Sequence, residues 1–433
     1  MRFTQAYSGS AVCAPSRCVL MTGKHPGHAY IRSNSEVKPE GQRAIPADEV
    51  TIAELLHAQG YATGAFGKWG LGSPGSVGDP LRQGFDRFFG YNCQRHAHSY
   101  YPPYLWSDDK RIPLKNDPAV PGHGRLAKGA DPNDPASYER FKGTDYAPDR
   151  INEQILAFIR AHRDRPFFAY YPTIIPHLAL HVPDEELEPY LALKWDQEPF
   201  RTGKGYGYTP HFTPRAAYAA MITRMDRYVG NVLKLIDELK LADNTLVIFS
   251  SDNGATYLRD VDYKFFESVG PLRGLKGSLY EGGIRVPLIA RWPGQVKAGT
   301  TSDRVVGFED VLPTLVEAAG ARAPAGLDGI SFVPTLRGRP QEPREFLYRE
   351  FPSYGGQVSV RMGRWKAIRQ NLRRKPDAPI ELYDLVEDVS ESRDAAAQQP
   401  ELVAKARRII RDQHEPSPLF PIKALDGAKE TPG

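Results

Sequence analysis

Leu246-Val247-Ile248-Phe249-Ser250-Ser251-Asp252-Asn253-Gly254 is a short apolar run that ends in a polar, turn-forming tail. Four apolar residues without alternation are too few for a helix and have the pattern of a strand buried on both faces of an α/β core. Asp252-Asn253-Gly254 then falls at the strand's carboxyl end, the edge where ligands collect in such sheets. Working outward, Thr213-Pro214 reads as a helix start, a threonine cap followed by a proline whose missing N–H costs nothing in the first turn. Tyr218, Met221, Met225, Val229, Val232, Ile236 and Leu239 follow at helical spacing, a stripe for packing on a sheet. Thr51 to Gln59 reads as a helix stopped by Gly60, with a strand from Tyr61 to Phe66. A helix opening at Asp149 carries Ile151, Ile155 and Ile159 on one side and leads to a strand from Pro166 to Tyr171. The alternation predicts an α/β fold.

Two regions depart from that rhythm. Residues 73 to 147 are rich in Gly, Pro, His and Tyr and predict long loops over the sheet. From about residue 340, short strands at Val358 to Arg361 and Trp365 to Gln370 precede a charged helical tail, Glu401 to Gln413. The expected division is a catalytic unit at 1–339 and a smaller C-terminal subdomain and tail at 340–433. The 433 residues, 41% of them hydrophobic, suffice for one large core. A formal net charge of +4 gives no case for nucleic acid binding and favours local basic groups aimed at a small anion. The three cysteines lack metal-ligand spacing, and an odd number cannot all pair within one chain. Met1 to Ala6 does not resemble an export signal, and no apolar run approaches the length of a membrane span.

Cys13, in Ser10-Ala11-Val12-Cys13-Ala14-Pro15-Ser16-Arg17, stands where a helix entrance would offer backbone N–H groups to an anion. Alone it is more readily an ordinary thiol, and Arg17 follows too closely for the loop of a cysteine-dependent phosphatase. Cys13, Pro15, Ser16 and Arg17 at these offsets, continued by Leu20-Met21-Thr22-Gly23, resemble the segment in which sulfatases convert cysteine to formylglycine. Gly67-Lys68-Trp69-Gly70-Leu71-Gly72, Pro176-His177, Asp252-Asn253-Gly254, Leu272-Arg273-Gly274-Leu275-Lys276 and Glu281-Gly282-Gly283-Ile284-Arg285-Val286-Pro287 extend the resemblance, and Tyr383-Asp384-Leu385 adds to it near the end. Each piece alone has a plainer reading as turn, loop or basic surface; their order is what is specific.

The resemblance implies an alkaline-phosphatase-like α/β/α sandwich with a smaller C-terminal α+β subdomain, hydrolysing an organic sulfate ester of the aryl or sugar class. By the same implication Cys13, converted to formylglycine by a maturation enzyme, is the nucleophile. Arg17, Lys68 and Lys276 manage sulfate charge, and His177 serves the leaving group. Asp252 and Asn253 are assigned to Ca²⁺. Gly70 replaces the motif's usual histidine, and His96 and His98 are candidates to compensate. The family normally has an acidic pair upstream of the cysteine, whereas only twelve residues precede Cys13, so the chain is expected to start inside the catalytic domain with that segment absent and Met1 an internal methionine. Export follows if a signal lies upstream, a cytoplasmic location for the chain as it stands. A noncatalytic anion-binding product of truncation and a phosphate or phosphonate ester hydrolase are the alternatives.

Overall fold

The computed structural model describes residues 1–201, 207–258 and 260–427. In chain order the first strands are β1 (Arg2–Tyr7), β2 (Ala62–Lys68), β3 (Arg87–Tyr91), β4 (Tyr104–Ser107) and β5 (Lys110–Pro113). They are followed by β6 (Phe167–Tyr170), β7 (Val247–Ser250), β8 (Arg285–Arg291), β9 (Thr301–Ser302) and β10 (Val306–Gly307). The last four are β11 (Leu347–Phe351), β12 (Gln357–Met362), β13 (Trp365–Arg369) and β14 (Glu381–Asp384). The helices that matter to the site are α1 (Cys13–Thr22), α2 (Ile52–Ala58), α3 (Ala147–Ala161), α4 (Asp184–Leu191), α5 (Pro214–Glu238), α6 (Glu281–Ile284) and α7 (Val311–Ala318).

The local signals explain several boundaries. Thr51 and Glu54 form a reciprocal capping box that starts α2, with Thr51 N–H donating to Glu54 Oε2 at 2.8 Å. Gly23, at φ 68°, ends α1 in the left-handed conformation and donates its N–H to Val19 O. α5 begins at Pro214 as the sequence predicts, but the Thr213 side chain makes no capping bond; the helix is held instead by its buried face, Ala216, Ala217, Ala220 and Met221.

The core is a mixed α/β assembly flanked by helices. One sheet runs β10-β1-β8-β7 with β9 beside β1; β1 is parallel to β10 and antiparallel to β8, which is antiparallel to β7. The second runs β5-β4-β3-β2-β6, with β2 parallel to both β3 and β6. α3 and α5 pack on one side of the second sheet through Phe66, Ile151, Ile155, Phe158 and Met221. α1 packs through Val19 and Met21 in a separate cluster with Trp69, Phe85 and Phe88. The antiparallel β11-β14 sheet and the Pro400–Gln413 helix form the C-terminal layer. Buried ion pairs tie it to the core: Lys366 to Glu281 (2.9 Å), Arg349 to Glu309 (2.8 Å) and Arg32 to Glu350 (2.9 Å).

Two expectations are corrected. Val247 to Ser250 is half-buried rather than enclosed on both faces, because β7 pairs with β8 alone among the described strands. Its other edge and that of β6, also half-buried, face a cavity of about 1520 Å³. Residues 73–147 are not all loop: β3 lies directly beside β2, and β4 and β5 continue the sheet, their alternation hidden among turn residues. Among the described residues no helix is long and apolar enough to cross a membrane.

Candidate active site

Cys13 is the first residue of α1 and is buried, 3% exposed. Val12 gives no side-chain cap, so the amides of this first turn are left to other partners; Ala14 N–H donates to Asn34 Oδ1 at 3.0 Å. Ser16 Oγ accepts from Gly9 N at 2.9 Å and anchors the turn to the loop that leaves β1. Gly9 has no room for a Cβ, which would stand 2.5 Å from Val19 Cβ.

Cations converge on the thiol from separate elements. Lys276 Nζ lies 3.4 Å from Cys13 Sγ. Lys276 is placed by its own N–H, donated to Ala255 O just beyond the β7 turn, while Gly277 N–H donates to Ala11 O. Lys68 closes β2, 2% exposed, with its amide on Pro172 O and its carbonyl accepting from Arg17 Nη1. Arg17, one turn along α1, directs Nε and Nη2 to Asp252 Oδ2 at 3.1 and 3.0 Å. Asn253 Oδ1 stands 3.9 Å from Cys13 Sγ. Burial alone would push the Cys13 thiol up, but Lys276, Lys68 and Arg17 outweigh it and the opposing Asp252, holding the thiol below its ordinary value. Burial likewise works against the Asp252 carboxylate, and Arg17, Lys68 and Lys276 hold it below the usual range. Burial, with Arg17 and Lys276, lowers Lys68.

His177 leaves the β6 strand through Pro172 to Pro176 and stacks face to face on His98, ring centroids 4.9 Å apart at 8°. His177 Nδ1 is 2.6 Å from Leu178 O, which can only accept, so Nδ1 carries the proton and Nε2 the lone pair in the neutral ring. Burial first, then Lys276, Lys68 and His98, drive its proton affinity well below the usual histidine value. His98 is lowered in the same way, and its Nδ1 lies 2.8 Å from His123 Nε2.

The structure therefore brings Cys13, Arg17, Lys68, His98, His177, Asp252, Asn253 and Lys276 to one cavity. His96 is not with them. Its Nδ1 is 3.4 Å from Glu40 Oε1 and its ring lies on Tyr91 and Tyr104, on the far side of the His96–His98 turn. Sequence reading missed Asn34, Gln94, His123, Tyr208 and Tyr354, which also line the cavity. Gln94 is four residues from His98 and was within reach of a motif reading; Asn34 follows no periodicity and is placed only by the bond to Ala14.

A cluster able to chelate a metal ion lies elsewhere. His25, His28 and Asp328 place one ligand atom each within 4.8 Å of one another. His28 Nδ1 is 2.9 Å from Asp328 Oδ1, and His25 Nδ1 accepts from Gly27 N–H while Nε2 meets Gln413 Oε1 at 3.0 Å. These three residues do not line the cavity that contains Cys13.

Residues 1–321 match the Sulfatase family model, and 275–413 match the C-terminal model of N-sulphoglucosamine sulphohydrolase. Arylsulfatase A of Bos taurus is 32% identical over 382 residues, covering 85% of this chain and 67% of the relative. N-acetylgalactosamine-6-sulfatase of Homo sapiens is 30% identical over 395 residues, covering 87% and 67%. A crystal structure of Ps i-CgsB superposes with a TM-score of 0.74 at 25% identity, over 95% of this chain and 84% of that one. The chain belongs to the sulfatase family, and its core is the alkaline-phosphatase-like fold of those structures. It is a sulfuric ester hydrolase of the arylsulfatase type.

The match also corrects one expectation. The family model is met from residue 1, through the normally N-terminal catalytic segment that holds Cys13, so the recognition does not rest on an absent region. β1 lies between β8 and β10 and leads through residues 8–12 into α1.

Proposed function

We propose that this sulfatase cleaves its ester at residue 13, with Arg17, Lys68, Lys276 and His177 as the groups around it. The observation that carries this reading is Lys276 Nζ at 3.4 Å from the buried Cys13 Sγ, at the open first turn of α1. Conversion of Cys13 by a maturation enzyme would supply an aldehyde hydrate: one hydroxyl would attack sulfur, giving up its proton as the S–O bond to the alcohol breaks, and the second would then lose its proton as the C–O bond to sulfate breaks, restoring the aldehyde and releasing sulfate. The residues present supply the rest. Lys68 at the end of β2 and Lys276 on the loop before α6 fix sulfate oxygens and offset the charge that builds on them, as fixed donors already aimed at the anion. Arg17 braces Lys68 through its carbonyl and Asp252 through its carboxylate, keeping both in place. His177 stands neutral in the free protein with its lone pair on Nε2. A bound sulfate opposes Lys276 and Lys68, raises the ring's proton affinity and so lets the ring take up the proton it passes to the departing alcohol. His98, stacked on His177, is the residue of the candidate pair placed to share that duty; His96 is directed to Glu40 instead.

No step of this mechanism is routed through calcium. Asp252 Oδ2 is already engaged by Arg17, and two side chains fall short of the six to eight oxygens that Ca²⁺ takes. The described donor set at Asp252 and Asn253 does not fit the ion. The nitrogen-rich His25, His28 and Asp328 cluster suits a softer metal. An aryl or sugar sulfate is the substrate class that the relatives' names support. The phosphonate monoester hydrolase of Silicibacter pomeroyi, 21% identical with a TM-score of 0.63, shares the fold, and that likeness carries no activity to this chain. The division at 339/340 is likewise a proposal, supported by the separate C-terminal sheet.

The test is peptide mass analysis after co-expression with a formylglycine-generating enzyme, paired with sulfate release. The expected results are an aldehyde or its hydrate at residue 13 and loss of turnover in Cys13→Ala. Unmodified cysteine in an active protein, or full turnover by Cys13→Ala, refutes the reading.

A further inference from the structure

Gly70 has φ +84° in the turn that follows β2. A Cβ there would stand 3.0 Å from Gln94 Cγ and 3.3 Å from Gln94 Cδ, so the space above the glycine belongs to the Gln94 side chain. Two backbone bonds hold this arrangement, Trp69 N–H to Tyr91 O and Gly70 N–H to Asn92 O. Gln94 is buried, 6% exposed, and lines the cavity that contains Cys13. Its Nε2 donates to Gln42 Oε1 at 3.0 Å and reaches Asn34 Oδ1 at 3.4 Å, the same oxygen that accepts from Ala14 N–H at 3.0 Å. A chain of neutral amides thus runs from Gln42 through Gln94 and Asn34 to the residue after Cys13. Among the described residues Gln94 Oε1 has no hydrogen-bond partner, although buried acceptors are rarely left idle.

We propose that Gln94 is a positioning residue for residue 13: acting through Asn34 and Ala14 N–H, it fixes the first turn of α1 from the space over Gly70, as a group that does not titrate. The inference rests on the reading of residue 13 as the reacting group. It also separates this site from one built on histidine, since an amide orients by donating and accepting but brings no protonation step near neutral pH.

The test uses the converted full-length protein and para-nitrophenyl sulfate, with melting curves for every variant. Gln94→Ala is expected to lower kcat by roughly ten- to a hundredfold with KM changed less than about threefold, because the reacting geometry loosens while the charged anion contacts stay. Gln94→Glu is expected to keep activity at acid pH, where the protonated carboxyl both donates and accepts, and to lose it as pH rises through that carboxyl's pKa; the same limb is absent with glutamine. Gly70→Ala drives a Cβ against Gln94 and also strains the turn at φ +84°; the strain remains in either background, while the part of the kcat loss that acts through Gln94 is expected to vanish in the Gln94→Ala background, so the double variant loses less than the sum of the two. Wild-type kcat in Gln94→Ala, a flat ratio of Gln94→Glu to wild type across pH, or additive effects of the two positions overturns the proposal. If Gln94→Ala does not fold, Gln94→Glu and Gly70→Ala decide it. Turnover surviving Cys13→Ala defeats the underlying reading instead, while a dead Cys13→Ala beside an unaffected Gln94→Ala defeats this proposal alone.

Discussion

At residue 13 the balance between burial and charge decides the chemistry. Desolvation favours the neutral thiol, yet three cations on three different elements reverse the sign. This gives a prediction on unconverted protein, where Cys13 is still a thiol. Lys276→Met keeps the side chain's bulk and removes the nearest cation, so the thiol pKa rises and alkylation by iodoacetamide slows by roughly three- to tenfold at fixed pH. Asp252→Asn removes the opposing anion and shifts the alkylation profile the other way. Cys18 does not compete at that pH, because burial pushes it up to about 12, and peptide mass analysis separates alkylation at Cys13 from alkylation at Cys93. Unchanged alkylation profiles in both variants would show that the cations do not act on Cys13. The cysteine itself, Arg17, both lysines and His177 were legible through ordered motifs. What those motifs could not supply was the Arg17 to Asp252 pair, which spans 235 positions and engages Oδ2 of the carboxylate assigned to calcium.

At the scale of elements, glycines let backbones approach where the site is assembled. Gly67, the residue before Lys68, has φ +134°, and a Cβ there would lie 2.2 Å from Pro172 O. Backbone cannot yield as a flexible side chain would, so Gly67→Ala must shift the end of β2 and Lys68 with it. We expect a loss of about 1–3 kcal/mol in stability and at least a tenfold fall in turnover, read by urea melts and sulfate release. Gly60→Ala is the control: also at positive φ, +83°, but with open space around it and outside the cavity lining. It should cost about 1 kcal/mol and leave kcat unchanged. Equal kcat in the two variants would argue that β2 does not set the position of Lys68. The α2, α3 and α5 helices, the Pro400–Gln413 helix and the β2, β6, β7, β12 and β13 strands were readable from periodicity, while α4, α6 and α7 were not. β3, β4 and β5 were not, because Gly, Pro and His punctuate that region and only the pairing with β2 holds it extended.

For the whole molecule, the buried histidines set the response to acid. Burial lowers His25, His98, His123 and His177, brings His181 to about 3 and His211 to about 4, while hydrogen bonds to Glu350 and Asp426 outweigh burial and raise His414. Below the ordinary histidine pKa of about 6.5 the unfolded chain takes up protons that the first six refuse in the native state. The six histidines therefore lower stability as pH drops from about 6.5 toward 4, opposed by His414 and by Asp260, whose carboxyl burial pushes up to about 7, and the six are expected to outweigh the two. Urea midpoints across that range check the sign, and His181→Asn should flatten the slope. A midpoint that rises on acidification would contradict the burial of these rings.

The sequence alone determined the α/β alternation, the short apolar strands, the start of α5 at Pro214 and the ordered motifs, because each depends on neighbours within a few residues. Tertiary structure decided which of those pieces share a site. It placed His98 on His177 and turned His96 toward Glu40, put Gln94 over Gly70, left the edges of β6 and β7 open to a cavity, and joined Arg17 to Asp252. Those outcomes depend on where strands cross over and on which charge reaches which, through contacts up to hundreds of residues apart, and no local pattern carries that information.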